Sequence, residues 1–186
     1  MNKYYELNVA GVKRDLAICP VTEDLYIAGF ILTGDPSLSE ACAKALLEKA
    51  PEYDYILTAE AKGIPLAHEM ARQAGDEKYV VARKRPKAYM TGVFEVDVRS
   101  ITTAADQKLY LDVAEADMMK GKRVLIVDDV VSTGESLEAL KKLAAKAGAN
   151  IVACMTVLAE GGAADRDDII YLEKLPLFDS NGNILG

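Results

Sequence analysis

Several common chemistries find little material in this sequence. It holds one histidine, His68, set among Leu66, Ala67 and Met70 at helical spacing. A surface or packing role suits that residue better than a catalytic base, and a histidine-based mechanism has little to draw on. Three cysteines, Cys19, Cys42 and Cys154, are odd in number, far apart and in apolar company. They give neither zinc spacing nor a disulfide framework, and small buried hydrophobes in a reducing cytoplasm are the expectation. No apolar run is long enough to span a bilayer, and the N-terminal "MNKYYELNVAGVKRD" lacks the apolar stretch of a signal peptide. Positive charge is outweighed, with a net charge of -7, which argues against a broad nucleic-acid or membrane surface but leaves room for a small basic pocket. No G-x-G-x-x-G follows the first strand, and no G-x-x-x-x-G-K-S/T occurs, so the usual nucleotide-fold signatures are missing.

What is present is a globular composition. Apolar residues make up 51% of 186 residues, enough for one domain with a real core. No repeat, low-complexity tract or Ser/Gly linker divides the chain. The expectation is a single domain over 1–186, with about 1–34 as a small N-terminal hood and 35–186 as the core.

Periodicity gives the elements. "DLYIAGFIL" (24–32) reads as a strand. Asp35 and Pro36 open a helix that Pro51 stops. Strands follow at 53–59 and 78–83, with a helix over 63–75 between them, ended by glycine. "VFEVDVRSI" and "KLYLDVAE" alternate as a hairpin with a mobile polar tip at 102–107. "RVLIVDD" is a strand, 133–148 a helix, "NIVACMTVLAE" a strand, and the tail adds one more short strand. Strands alternating with helices predict an α/β fold with a central, mainly parallel sheet flanked by helices. Ligands bind outside the carboxyl ends of such strands, which brings together 60–62, 83–87, 128–136 and 160–162.

Those loops carry the chemistry. In "VLIVDDVVSTGES" (Val124–Ser136) two acids, Asp128 and Asp129, end a buried-looking strand. Adjacent like charges there raise each other's desolvation cost, and a purely structural role rarely needs both. Carboxylates accept from vicinal hydroxyls, or face a metal or a developing cation. The turn after them, Ser132, Thr133, Gly134, Glu135 and Ser136, opens a helix whose first amides lack partners, a natural phosphate site. It equally fits a capping box of Ser132 with Glu135. Acids beside a phosphate turn suit a sugar phosphate.

The stretch "VLIVDDVVSTGES" resembles the motif that binds phosphoribosyl pyrophosphate (PRPP) in type I phosphoribosyltransferases. Glu135 and Ser136 depart from the small residues often found after the Thr-Gly pair, and Glu135 must turn its charge away, for instance by capping. "TAEAKGIPLA" (58–67) resembles the family's pyrophosphate loop. There a backbone amide and a basic or polar side chain meet pyrophosphate, often across a non-proline cis bond, and Ala61, Lys62 and Gly63 fill that loop. "ARKRPKAYM" (82–90) resembles the basic segment after the next strand in purine members. The resemblance assigns Arg83, Lys84 and Lys87 to pyrophosphate and turns Arg85 away. Taken singly, Lys62 and the basic cluster also read as solvated charge.

The likeness spans about 53–160 and is nearest to adenine phosphoribosyltransferases and their relatives. It implies the type I phosphoribosyltransferase fold with a flexible hairpin loop. It implies Mg²⁺-dependent transfer of ribose 5-phosphate from PRPP to a purine, with Mg²⁺ held mainly through PRPP and no metal-binding residue assigned. Adenine is the first base expected, with hypoxanthine, guanine and xanthine as alternatives, because "SITTAADQKLYL" lacks the Glu-Tyr pair of the adenine enzymes' mobile loop. Asp128 and Asp129 would be catalytic, holding ribose hydroxyls and favouring an oxocarbenium-like ring. Leu25, Tyr26, Ile27, Val130 and Val131 are candidates for the wall against the base, although Tyr26 and Ile27 serve a core equally well. A cytoplasmic homodimer acting in purine salvage, with no nucleic-acid or membrane partner, completes the expectation.

Two other readings compete. "VLIVDD" also opens phosphorelay receiver domains, but too little chain follows it here. A PRPP-sensing regulator without catalysis shares "TAEAKGIPLA". Purine-dependent release of pyrophosphate separates enzyme from sensor.

Overall fold

The computed structural model describes residues 4–98 and 107–185, with Asp97, Val98 and Gln107 described by their backbone alone. The chain opens with β1 (Tyr4–Val9) and β2 (Val12–Pro20), then β3 (Tyr26–Ala28), α1 (Pro36–Leu47), β4 (Tyr55–Ala59), α2 (Ile64–Ala74) and β5 (Val80–Ala82). A hairpin of β6 (Val93–Val98) and β7 (Gln107–Asp112) follows, then α3 (Val113–Met119), β8 (Arg123–Val131), α4 (Glu135–Lys146) and β9 (Asn150–Glu160). The tail is β10 (Ile170–Leu175), β11 (Leu177–Phe178) and β12 (Ile184–Leu185).

Five strands form a wholly parallel sheet in the order β10-β9-β8-β4-β5. Its central strands β4 and β8 are buried along most of their length, because each face is covered. Leu125 and Val127 join one core with α1, α2 and the N-terminal strands, while Val124 and Ile126 join a second core with α3 and α4. In α1, Asp35 accepts from the Leu38 N–H and Pro36 occupies the first turn, so the helix starts where the sequence indicated. Gly75, with φ 78°, closes α2.

The hood is a second sheet, β1-β2-β3-β11-β12, built from both ends of the chain. Ala10 and Gly11 (φ 51° and 76°) make the tight turn between β1 and β2. Three expectations change. Only Tyr26–Ala28 of the run 24–32 is strand, and Leu25 lies in a turn where its carbonyl accepts from the Val21 and Thr22 N–H groups. The second hairpin strand ends at Asp112, which caps α3 in a reciprocal box with Glu115, so "DVAE" is a helix start and not strand. The tail gives three strands, because Pro176 cannot continue a ladder and the chain passes from the parallel sheet to the hood there. The expected hairpin tip falls on 99–106, outside the described residues.

Candidate active site

Asp128 and Asp129 lie within β8, whose pairing continues past them to Val130↔Leu158 and Val131↔Ala159. They are 9% and 2% exposed. The Asp129 N–H donates to Asp128 Oδ1 at 2.9 Å. Burial, then the charge of Asp129, pushes the Asp128 carboxyl up to about 7, against that amide and Lys62. Asp129 Oδ2 is buried with no hydrogen-bond donor among the described residues, yet Lys62 Nζ stands 3.3 Å away as a charge contact. A buried carboxylate oxygen with an exposed ammonium across an open cavity is an arrangement with spare acceptor capacity.

The loop after β4 brings Lys62 there. Its Glu60–Ala61 peptide is cis. Gly63 passes so close to β4 and β8 that a Cβ would overlap Thr58 Oγ1 and lie 3.0 Å from Asp128 Oδ1. Only glycine admits that approach. Thr58 Oγ1 is itself buried without a hydrogen-bond partner among the described residues.

Glu60 organises the basic cluster, and the sequence reading did not single it out. It accepts from the Lys84 N–H at 3.0 Å, and Lys87 Nζ and Arg83 Nη1 lie 3.3 and 3.9 Å from its Oε1. These contacts, the Lys84 amide first, hold its carboxyl below the usual range despite burial. Arg83 and Lys87 are thus drawn to Glu60, whereas Lys84 and Arg85 line the cavity. Arg85 therefore reaches the site, contrary to expectation. The signal for Glu60 was its place next to Ala61 and Lys62, opposite four cations.

At the turn, Gly134 (φ 82°) is the residue before α4, and no side chain caps that helix. The capping box of Ser132 with Glu135 is absent. Thr133 Oγ1 accepts the Glu135 N–H at 3.5 Å, and the first helical bond runs from the Glu138 N–H to the Gly134 carbonyl. Past the Glu135 amide, Ser136 and Leu137 line the cavity at the start of α4 without a side-chain cap, at the positive end of the helix dipole. A second reason for glycine is Arg166, whose Nη1 a Cβ at Gly134 would overlap. Asp168 and Glu138 hold that guanidinium at 2.8 and 3.1 Å, so a cation sits behind the turn.

Two cavities meet over Asp128. One, of about 460 Å³, runs along Ser132–Leu137 to the hood residues Ile27–Ile31, with Val130 and Val131. The other, of about 580 Å³, is lined by Glu60–Lys62, Lys84, Arg85, Asp129 and the strand residues Lys108 and Tyr110. Of the proposed base wall, Ile27, Val130 and Val131 line the first cavity. Leu25 and Tyr26 line neither: Leu25 is in its turn, and Tyr26 packs into the core, paired with Phe178. Among the described residues, no group of three or more His, Cys, Asp or Glu side chains could hold a metal on its own.

A family model described as the phosphoribosyl transferase domain matches residues 37–183, well over half of the chain. The chain belongs to the phosphoribosyltransferase family. Among curated relatives of this phosphoribosyltransferase, a hypoxanthine/guanine phosphoribosyltransferase from Methanothermococcus okinawensis is 36% identical over 148 residues, 80% of this chain and 74% of its own. Another of that name from Methanococcus voltae is 45% identical over 108 residues, but the match spans only 58% of this chain and 54% of its own. Among solved structures, the adenine phosphoribosyltransferase of Rhodothermus marinus superposes with a TM-score of 0.65 at 20% identity, covering 93% of this chain and 94% of its own. That of Thermoanaerobacter pseudethanolicus gives 0.63 at 20% identity, covering 92% and 95%. At such identity the likeness is one of fold, and the sheet with its flanking helices agrees. No helix among the described residues is long and apolar enough to cross a membrane.

Proposed function

We propose that this phosphoribosyltransferase moves ribose 5-phosphate from PRPP to a purine, with hypoxanthine or guanine as the base. The carrying observation is the pair of acids buried in β8 between an uncapped helix start and a basic loop, Asp128 and Asp129 with Lys62 at 3.3 Å. The 5-phosphate goes to the amides and hydroxyls of Ser132–Ser136, and the ribose hydroxyls to the two acids. Pyrophosphate goes to Lys62, the Ala61–Gly63 backbone, Lys84 and Arg85. Arg83 and Lys87 act from beside Glu60.

The C1–O bond breaks with its electron pair leaving on pyrophosphate, and the purine's imidazole nitrogen forms the new C1–N bond as its N–H proton passes to water. Positive charge develops on the ring, where buried carboxylates in a low-dielectric site act strongly. Little else is asked of the protein than position and field. Mg²⁺, when bound, would neutralise pyrophosphate charge. It suits a site with one or two carboxylates and substrate oxygens rather than a protein cage, and the spare Oδ2 of Asp129 fits that use.

The base rests on relatives 36–45% identical that are named hypoxanthine/guanine enzymes. Support for adenine, the base first expected, is a likeness of fold. The test is a purine panel with Mg-PRPP, reading nucleotide and pyrophosphate. Nucleotide formed with hypoxanthine or guanine is the expected result. PRPP binding without turnover on any base would sink the enzyme reading in favour of a sensor.

A further inference from the structure

One carboxylate in the first cavity has no part in that scheme. The charged residues lining this cavity are Lys62, Asp128, Glu135 and Glu160. Lys62 and Asp128 serve the sugar and pyrophosphate, and Glu135 heads α4. Glu160 is the last residue of β9, paired in register with Leu175 of β10. One step on, a Cβ at Gly161 would lie 2.9 Å from Leu177 Cδ1, and Leu177 pairs with Ile27. Glu160 therefore stands at the seam where the hood meets the parallel sheet. Ile27, Phe30, Val130, Val131 and Leu175 share its cavity. Burial raises this carboxyl above its ordinary value, although Ser132 and Lys62 favour the charged form. A carboxylate half-buried against an apolar wall is costly unless donors meet it.

A purine seated between Ile27 and Val130–Val131 would turn an edge to this group, which lines the same cavity. A carboxylate only accepts. Guanine offers two adjacent donors, N1–H and the 2-amino group, which match its two oxygens. Hypoxanthine offers N1–H alone on that edge. Adenine sets an N1 lone pair beside its amino group and meets repulsion. We infer that Glu160 reads the base edge and selects guanine over hypoxanthine, and both over adenine. The inference rests on the purine phosphoribosyltransferase reading above.

The experiment compares kcat/KM for guanine, hypoxanthine and adenine at saturating Mg-PRPP in the wild type, Glu160→Gln and Glu160→Asp. The wild type should follow guanine, hypoxanthine, adenine in that order. Glu160→Gln should lower guanine by roughly 10- to 100-fold and hypoxanthine by less, since a mismatched bidentate contact costs about that much. Glu160→Asp should keep the order. The KM for PRPP, measured alongside, should stay near wild type, which separates loss of base reading from damage to the phosphate end. A wild type that prefers adenine, or an unchanged guanine-to-adenine ratio in Glu160→Gln, overturns the role of Glu160 and leaves the enzyme reading standing. A wild type that turns over no purine overturns the reading on which it rests.

Discussion

Lys62 Nζ lies 3.3 Å from Asp129 Oδ2, joining a side chain that is 63% exposed to one that is 3% exposed. The ammonium is the nearest compensation for a buried carboxylate, and it is held by a loop rather than by a helix or strand. In the proposed reaction PRPP would offer that ammonium phosphate oxygens and offer the acid hydroxyls or a bound cation. Ligand binding would then exchange partners without leaving either charge stranded.

Replacing Lys62 by Ala should therefore act twice. The KM for PRPP should rise several-fold or more, and the ligand-free protein should lose about 1 kcal/mol, because the exposed partner limits what the pair contributes. Steady-state kinetics and urea melts check both. Unchanged values in each would remove the pairing from function and from stability.

Asp128→Asn with Asp129→Asn should separate activity from stability. Turnover should fall by at least about 100-fold, in the range seen when electrostatic stabilisation is lost. Stability should move the other way. Because burial and then the charge of Asp129 push the Asp128 carboxyl up from an ordinary 3.8 to about 7 in the folded protein, folding becomes less favourable as pH rises through that window and the cost is complete above it. The variant should gain about 1 kcal/mol or more at pH 8 and less at pH 5. Thermal melts at the two pH values decide it. Normal turnover in the variant would overturn the assignment of both acids.

Gly63→Ala should damage the site through packing alone. A methyl there meets Thr58 Oγ1 and Asp128, and overpacking of this kind costs about 1–3 kcal/mol. Activity should fall by at least about tenfold as Asp128 is displaced, since small displacements of reacting groups are expensive. Wild-type kinetics together with wild-type stability would show that the loop has more room than described.

Asp35 gives a pH dependence far from the site. Arg14 donates to both of its oxygens, at 2.7 and 2.9 Å, and holds its carboxyl down at about 2. A depressed acid stabilises above its unfolded value, near 3.8, and loses that contribution as pH falls toward 2. With Arg14 35% and Asp35 25% exposed, about 1 kcal/mol is a fair magnitude after screening. Asp35→Asn should be destabilised at pH 6 and nearly equal to wild type at pH 2. Parallel denaturation curves at both pH values would contradict this.

Much of the framework was legible because it is local. A strand buried on both faces reads as an apolar run, so "VLIV" gave β8, and α1 was announced by Asp35 and Pro36. The helix start at Asp112 was legible too, since Asp with Glu three residues on is a capping box, but the alternation of "KLYLDVAE" outweighed it. At the turn, the sequence left cap and phosphate site equal. The backbone excludes the cap, since with Gly134 at φ 82° as the residue before α4 the helix starts two residues too late for Ser132 and Glu135 to form the box.

By itself the sequence determined a parallel α/β core, a glycine-containing turn that opens a helix and two acids beside it, because each depends on neighbours within one element. Only the tertiary structure decided which groups meet. Glu60 among Arg83, Lys84 and Lys87, Arg166 behind Gly134, and Leu177 of the tail beside Ile27 of the hood all join residues more than 20 positions apart. No periodicity encodes such meetings; they arise when parallel strands bring their carboxyl ends to one edge of the sheet.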